Sequence, residues 1–185
     1  MTRVMPTPHL DPDAAGPFAD LIAGNAVYSR AFDLGHLEPR ARRGLAIVTC
    51  MDSRIEPLHL LDLEPGDAKI LRNAGARVTD DVLRTLVLAV HLLGVRRVLV
   101  MPHTHCKMTE ASESELHRLI EEISGADTSG ITFGAIEDPQ ATLRTDLERI
   151  RDHALLPADL GITGSVYDVR SGRLGPLIDP GPRSS

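Results

Sequence analysis

Short apolar runs alternate with amphipathic stretches along this chain. The clearest runs, at residues 45–49 (LAIVT) and 97–101 (RVLVM), are rich in β-branched residues, a pattern typical of strands that are buried on both faces of a sheet. Weaker strand candidates lie at 68–72 and 162–169, and a Ser-Gly turn separates the latter from a short partner strand at 173–177. The chain is therefore predicted to contain several short, mostly buried strands.

The segments between these runs carry apolar residues at helical spacing. Thr79 is followed by two acidic residues and predicts the start of a helix that ends at Gly94. A capping box begins at Ser112, and Asp138 precedes a proline at the start of another helix. A further helix is predicted over residues 17–34, but its modest hydrophobicity suggests that it needs a partner surface to pack on.

This alternation predicts the α/β fold class, with a mostly parallel central sheet of about four to five strands flanked by helices and an N-terminal helical arm. The length of 185 residues suits a single domain. We expect residues 1–40 to form the arm, 41–178 the core and 179–185 a loose tail. In such sheets, ligands bind beyond the carboxyl ends of the strands.

The composition narrows the classes of function. With 42% hydrophobic residues but no Trp, 2 Tyr and 3 Phe, the core is expected to be aliphatic, and few rings are available for stacking on nucleic-acid bases. The net charge of −6, without a Lys/Arg cluster, gives no attraction to phosphate backbones or anionic lipids. The longest apolar stretch, 86–93, is too short to span a membrane. We therefore expect no nucleic-acid or membrane partner and, since the N-terminus lacks an apolar signal region, a cytoplasmic location.

Candidate metal ligands follow two of the predicted strands. Cys50 comes directly after the first, and His103 and Cys106 follow the third along the chain. Two thiolates and one imidazole form a soft set that favours Zn²⁺, and three protein ligands leave a fourth tetrahedral position for water, as in catalytic sites. Two alternatives stay open: a Cys50–Cys106 disulfide, which would leave His103 without a role, and a structural zinc with His105 as the fourth ligand.

An acid–base pair stands beside the first candidate ligand. Asp52 could coordinate the metal or accept a hydrogen bond from metal-bound water, and Arg54 could hold that carboxylate in a bidentate fork. A free Asp52 would tend to take the open metal position and block it. Next to a metal ligand, this pair therefore favours a catalytic site over an ordinary ion pair in a loop.

Four short motifs resemble those of the beta-class carbonic anhydrases in their order and spacing. They are Cys-Met-Asp-Ser-Arg at 50–54, Arg-Asn-Ala-Gly at 72–75, Thr-Asp-Asp-Val at 79–82 and His-x-x-Cys at 103–106. The compact length resembles that of the short prokaryotic members. A single motif would be weak evidence, but four in order identify the family.

The resemblance implies a carbonate dehydratase, a lyase that reversibly hydrates carbon dioxide to bicarbonate and a proton. In such an enzyme Cys50, His103 and Cys106 hold Zn²⁺. Zinc-bound hydroxide attacks carbon dioxide in a small apolar pocket, while Asp52, fixed by Arg54, accepts the hydrogen of the hydroxide. The resemblance also implies a homodimer or higher even oligomer in which the N-terminal helix embraces the partner.

The same region holds expected pocket residues and two departures from the family pattern. Asn73, Ala74 and Gly75 follow a predicted strand end, and we expect them to line the substrate pocket. Family members commonly carry a small polar residue just before the last Cys ligand and Gly just after it, whereas this chain has His105 and Lys107 there. An imidazole can shuttle protons near neutral pH, so His105 is a candidate shuttle. Lys107 puts the local backbone geometry in question and adds a cation near a site that releases an anion.

Two other functions fit the same residues. A hydrolase of carbon disulfide or carbonyl sulfide could use the same zinc site, because hydroxide on zinc can attack those substrates too. A catalytically degenerate relative could bind zinc without turnover.

Overall fold

The structure is a computed structural model that describes residues 16–182. The chain divides into two compact units, Met1–Leu37 and Glu38–Ser185. Parts of the predicted arm (1–15) and of the predicted tail (183–185) lie outside the described residues. Among the helices within 16–182, none is both long and apolar enough to cross a membrane.

The first unit contains helix α1, Ala19–Tyr28, which is shorter than the helix predicted over 17–34. It is flanked by single 3₁₀ turns at Gly16–Phe18 and Ser29–Ala31. The helical path ends at Phe32, whose backbone is extended (φ −72°, ψ 118°). None of the residues in α1 is buried. Large apolar side chains are more than half exposed at the following positions: Phe18, Leu21, Val27, Tyr28 and Phe32.

The second unit is built on a four-stranded parallel sheet, as the strand–helix alternation predicts. Its strands are β1 (Leu45–Cys50), β2 (Ala68–Asn73), β3 (Arg97–Met101) and β4 (Gly161–Gly164), in the order β2-β1-β3-β4. Each neighbouring pair is parallel. Every residue of the central strand β1 is buried, which explains its continuous apolar sequence.

The predicted strand at 162–169 is two shorter strands. β4 ends at Gly164, whose backbone exchanges two 2.8 Å hydrogen bonds with Ile178. The chain then forms a separate antiparallel hairpin of β5 (Tyr167–Asp168) and β6 (Arg173–Leu174). The partner strand predicted at 173–177 is shortened to β6 because the C-terminal segment turns back to pair with Gly164.

The second unit contains four helices: α2 (Pro57–Leu60), α3 (Asp80–Leu93), α4 (Glu113–Ser124) and α5 (Pro139–Arg151). The three long helices begin where their cap residues predict. Thr79, Ser112 and Asp138 each accept a hydrogen bond from a backbone N–H of the first turn, which satisfies donors that the helix leaves free. Gly94 ends α3 in the left-handed conformation (φ 76°).

Alternate residues of β1 and β3 point to opposite faces of the sheet. On one face they join α3 and α5 in an apolar cluster that includes Ala46, Val48, Val98 and Val100. On the other face they form a second cluster that includes Leu45, Ile47, Leu99 and Met101. Cys50 and Cys106 belong to this second cluster, so both thiols lie in a buried, mostly apolar environment.

A buried ion pair joins the loop after β2 to α5. The Arg77 Nε atom donates to Asp146 at 2.8 Å, and the Asp146 side chain is only 2% exposed. The two residues are 69 positions apart in the chain. The pair therefore fixes the segment that follows β2 against the helix layer.

We expect Asp146→Ala to lower the free energy of unfolding by about 3 kcal/mol, because it leaves the Arg77 guanidinium without its buried partner. Urea unfolding followed by circular dichroism measures this change. A matched control is Glu122→Ala, which removes a surface ion pair with Arg118 and should have little effect. Equal effects of the two substitutions would show that the buried pair does not anchor the loop.

Candidate metal centre

The candidate ligands meet at the carboxyl ends of two adjacent strands. Cys50 is the last residue of β1, and His103 and Cys106 lie in the loop that follows β3. β1 and β3 are hydrogen-bonded neighbours, so parallel pairing brings these distant parts of the chain to one edge of the sheet. This is where the sequence predicts a ligand site.

The three side chains converge. Their ligand atoms all lie within 4.8 Å of one another, and the two Sγ atoms are 3.9 Å apart. All three residues are buried, at 4–5% exposure. Within the described part of the chain, this is the one group of His, Cys, Asp and Glu donors close enough to hold a metal ion.

The His103 ring is oriented for metal binding. Its Nδ1 lies 2.9 Å from the carbonyl oxygen of Thr104, and because a carbonyl only accepts, Nδ1 carries the hydrogen. Nε2 is then the free lone pair. Within residues 16–182, it is the one buried side-chain nitrogen or oxygen without a hydrogen-bond partner. Burial also lowers the pKa of His103, which favours the neutral ring that a metal needs.

The donor set fits zinc. With Zn–S bonds of about 2.3 Å, tetrahedral geometry places two sulfurs about 3.8 Å apart, close to the observed 3.9 Å. Both cysteines are free, and this separation is far from the disulfide bond length of about 2.0 Å. His105 does not join the donor group, so the structure offers three ligands rather than the four of a structural site.

The Cys106 thiol depends on a cation to ionise. Burial raises the pKa of Cys106 to about 11, because an apolar environment disfavours the thiolate. A metal ion must therefore displace the proton on binding. The backbone N–H of Gly75 donates to Cys50 Sγ at 3.4 Å, which gives that sulfur a partner suited to its anionic form.

Asp52 and Arg54 form a bidentate ion pair. Asp52 Oδ1 accepts from the backbone N–H and the Nε of Arg54, each at 2.9 Å, and Oδ2 accepts from Nη2 at 2.7 Å. These bonds hold the pKa of Asp52 well below its usual range. Oδ2 lies 3.8 Å from His103 Nε2. The carboxylate is therefore ionised and beside the centre, yet both of its oxygens are engaged by Arg54.

Two arginines fix the backbone around this pair. Arg54 Nη2 also donates to the carbonyl of His105 at 3.0 Å. Arg72 donates to the carbonyl of Cys50 at 2.9 Å and to that of Asp52 at 2.6 Å. The motif at 72–75 contains Arg72 without indicating its task; the signal was its position near the end of β2, next to β1.

Of the expected pocket residues, Asn73 fixes the backbone and Gly75 lines a cavity. The Asn73 side-chain amide closes a ring with the backbone of Arg77, with hydrogen bonds of 2.7 and 2.8 Å. Gly75 has φ 81° and lines a cavity of about 20 Å³ beside His103 and Cys106. The assignment of Asn73, Ala74 and Gly75 to the substrate pocket stays a prediction.

The two residues that depart from the family pattern are exposed. His105 adopts the left-handed conformation (φ 53°), which His tolerates better than most residues. Lys107 is not among the residues with positive φ; it begins a 3₁₀ turn and pairs with Glu110 at 2.9 Å. Glycine is therefore not required at position 107. Proton shuttling by His105 stays a prediction.

Comparison with known proteins identifies the family. The carbonic anhydrase family model matches residues 45–174, which include all the candidate ligands. Beta-carbonic anhydrase 1 of Mycobacterium tuberculosis is 33% identical over 157 residues, covering 84% of this chain and 94% of that protein. The crystal structure of a carbonic anhydrase from Streptococcus mutans superimposes with a TM-score of 0.81 at 36% identity, covering 85% and 95% of the two chains.

The chain belongs to the beta-carbonic anhydrase family. It is thus an enzyme of the carbonate dehydratase type, a lyase. The relatives also include a carbon disulfide hydrolase of Acidianus sp. (strain A1-3), which is 33% identical over 159 residues and covers 74% of this chain and 78% of that protein. The named relatives therefore carry two different activities.

Proposed function

We propose that the protein reversibly hydrates carbon dioxide to bicarbonate and a proton, with Zn²⁺ held by Cys50, His103 and Cys106. One observation carries the proposal: the buried Nε2 of His103 has no hydrogen-bond partner and lies close to two thiols. The carboxylate of Asp52, which is ion-paired with Arg54, lies 3.8 Å from this nitrogen. This arrangement combines three metal ligands with a hydrogen-bond acceptor that is kept off the metal.

Each residue has a separate task in this mechanism. When bound, zinc lowers the pKa of a water molecule and so supplies hydroxide near neutral pH. Asp52 Oδ2 accepts a hydrogen bond from the attacking oxygen, which directs a lone pair of that oxygen toward the substrate carbon. Arg54 donates hydrogen bonds to both carboxylate oxygens and so holds Asp52 in this orientation.

The proton released by the reaction must reach solvent. Asp52 does not readily accept this proton, because its hydrogen bonds with Arg54 favour the ionised carboxylate. We propose that the ring of His105 accepts this proton, because it is exposed and His105 is next to the ligand Cys106 in the chain. The Lys107 side chain is 78% exposed, pairs with Glu110 in the same loop, and offers a cation to the departing bicarbonate.

A carbon disulfide hydrolase is the second candidate function. It is favoured by the relatives that carry this name, at 28–33% identity. The same ligands and the same Asp52–Arg54 pair would serve, since carbon dioxide and carbon disulfide are both linear molecules that are attacked at their central carbon. The two candidates differ in which substrate reaches the centre.

Stopped-flow hydration of carbon dioxide by the zinc-loaded full chain tests the proposal. We expect turnover well above the buffer rate, lost after zinc is removed with a chelator and restored on reloading. A rate equal to that of buffer together with hydrolysis of carbon disulfide would favour the second candidate. Stoichiometric zinc with neither activity would indicate a degenerate zinc-binding relative.

We also propose that the protein is a homodimer, or a higher even oligomer. The first unit supports this, because its helix has no buried residue and carries apolar side chains that are more than half exposed. Sedimentation at micromolar concentration should give a mass of at least twice the 20.0 kDa of one chain. A monomer under these conditions would contradict the proposal. The cytoplasmic location stays a prediction.

A further inference from the structure

The orientation of the His103 ring depends on its neighbour in the chain. Nδ1 donates to the carbonyl oxygen of Thr104 at 2.9 Å, so the Thr104–His105 peptide group sets the direction in which Nε2 points. Metal-binding histidines generally need such a fixed acceptor on the other ring nitrogen. A carbonyl in a loop is a useful acceptor only if that peptide is itself held in place.

The hairpin of β5 and β6 holds Thr104 on two sides. The Thr104 backbone N–H donates to the carbonyl of Tyr167 at 2.9 Å. Its hydroxyl donates to Asp168 Oδ1 at 3.1 Å and accepts from the backbone N–H of Val169 at 3.3 Å. The hydroxyl thus donates one hydrogen bond and accepts another, and both partners lie in the two-residue segment Asp168–Val169.

Asp168 is fixed independently of Thr104. Its Oδ1 also accepts from the backbone N–H of Arg170 at 2.9 Å, and its Oδ2 accepts from the hydroxyl of Ser171 at 2.7 Å. These bonds lower the pKa of Asp168 to about 2. The carboxylate is therefore ionised at neutral pH, and its hydrogen bond from Thr104 is charge-assisted.

We propose that Thr104 and Asp168 are positioning residues that aim His103 Nε2 at the metal through the Thr104 carbonyl. The chain of contacts runs from the β5–β6 turn through Asp168 and the Thr104 hydroxyl to the His103 ring. Neither residue touches the metal or the substrate. The inference rests on the proposed function in that it takes His103 as a zinc ligand.

The predicted effect is on metal binding. Loss of an outer partner of a metal-binding histidine typically weakens metal affinity about 10–100-fold. Thr104→Val keeps the β-branched shape but removes the hydroxyl, so we expect zinc binding to weaken by about that factor. Thr104→Ser retains the hydroxyl and should bind zinc within about threefold of wild type, since the hydrogen bond to Asp168 can still form.

A second variant tests the same contact from its other end. Asp168→Ala leaves Thr104 intact but removes the acceptor of its hydroxyl, so we expect zinc affinity to fall in the same direction as in Thr104→Val. Thr163→Val is the matched control, because the Thr163 hydroxyl donates to the carbonyl of Ile178 at 3.2 Å, away from the metal ligands. It should leave zinc affinity unchanged.

The experiment is a competition titration of each full-length apo-protein with zinc and a chromophoric chelator. The visible spectrum of the cobalt-substituted protein gives a second readout, since it reports the ligand geometry. Thr104→Val and Asp168→Ala should weaken zinc binding and alter this spectrum, whereas a merely structural role would lower thermal stability and leave both readouts of the folded protein unchanged.

The outcomes separate this inference from the proposed function. If wild type binds zinc tightly and both variants do so equally, the positioning role is wrong and the proposed function is unaffected. If wild type fails to bind zinc, the proposed function itself fails. Should Thr104→Val not fold, unchanged zinc affinity in Asp168→Ala alone would overturn the inference.

Discussion

Replacing His103 with alanine should remove stable zinc binding and reduce carbon dioxide hydration to near the buffer rate. The substitution leaves two buried cysteines as the only ligands, and burial raises the pKa of Cys106 to about 11, so little Cys106 thiolate is available to retain a cation. Because loss of an outer-shell contact alone costs about 10–100-fold in affinity, loss of a direct ligand should weaken zinc binding by more than about 100-fold. Zinc content after dialysis and stopped-flow rates measure the two effects.

The control for this substitution is His59→Ala. His59 lies on the short helix α2 and is exposed, so its loss should change neither zinc content nor turnover. If His103→Ala retained one equivalent of zinc and normal turnover, the ligand set of Cys50, His103 and Cys106 would be wrong.

Replacing Asp52 with alanine should leave zinc bound and lower turnover by about 10²-fold, because the attacking oxygen loses the contact that orients it. Zinc should stay because Asp52 does not belong to the group of donors that lie within 4.8 Å of one another. The loss should fall on kcat, since the hydrogen bond to the attacking oxygen matters most during the reaction.

Asp81→Ala is a matched control. Like Asp52, Asp81 pairs with an arginine, in this case Arg84 at 2.6 Å, but this pair lies on the exposed surface of α3. The substitution should leave turnover unchanged. Unchanged turnover in Asp52→Ala would contradict the role of Asp52, and loss of zinc from that variant would identify Asp52 as a metal ligand.

The parts of the fold that local chemistry determines could be predicted from the sequence. The buried strand β1 is a continuous apolar run, and Thr79, Ser112 and Asp138 cap helices where expected. The convergence of ligands from β1 and the loop after β3 was also predictable, because parallel strands end at the same edge of a sheet.

The parts that depend on distant contacts could not be predicted. The partner strand expected at 173–177 is shortened because the C-terminal segment turns back and Ile178 pairs with Gly164, a contact that no local pattern reveals. The Arg77–Asp146 pair and the Asp168–Thr104 hydrogen bond join residues more than 60 positions apart. Likewise, nothing in the local sequence indicates that the left-handed residue of the ligand loop is His105 rather than Lys107.

X-ray absorption at the zinc edge of the wild-type protein tests the proposed centre most directly. We predict one zinc per chain with two sulfur neighbours at about 2.3 Å and two nitrogen or oxygen neighbours at about 2.0–2.1 Å. One light neighbour is the His103 ring, and the other occupies the fourth, open position. A zinc site with no sulfur neighbours, or one with a single sulfur, would contradict the assignment of Cys50 and Cys106 as ligands.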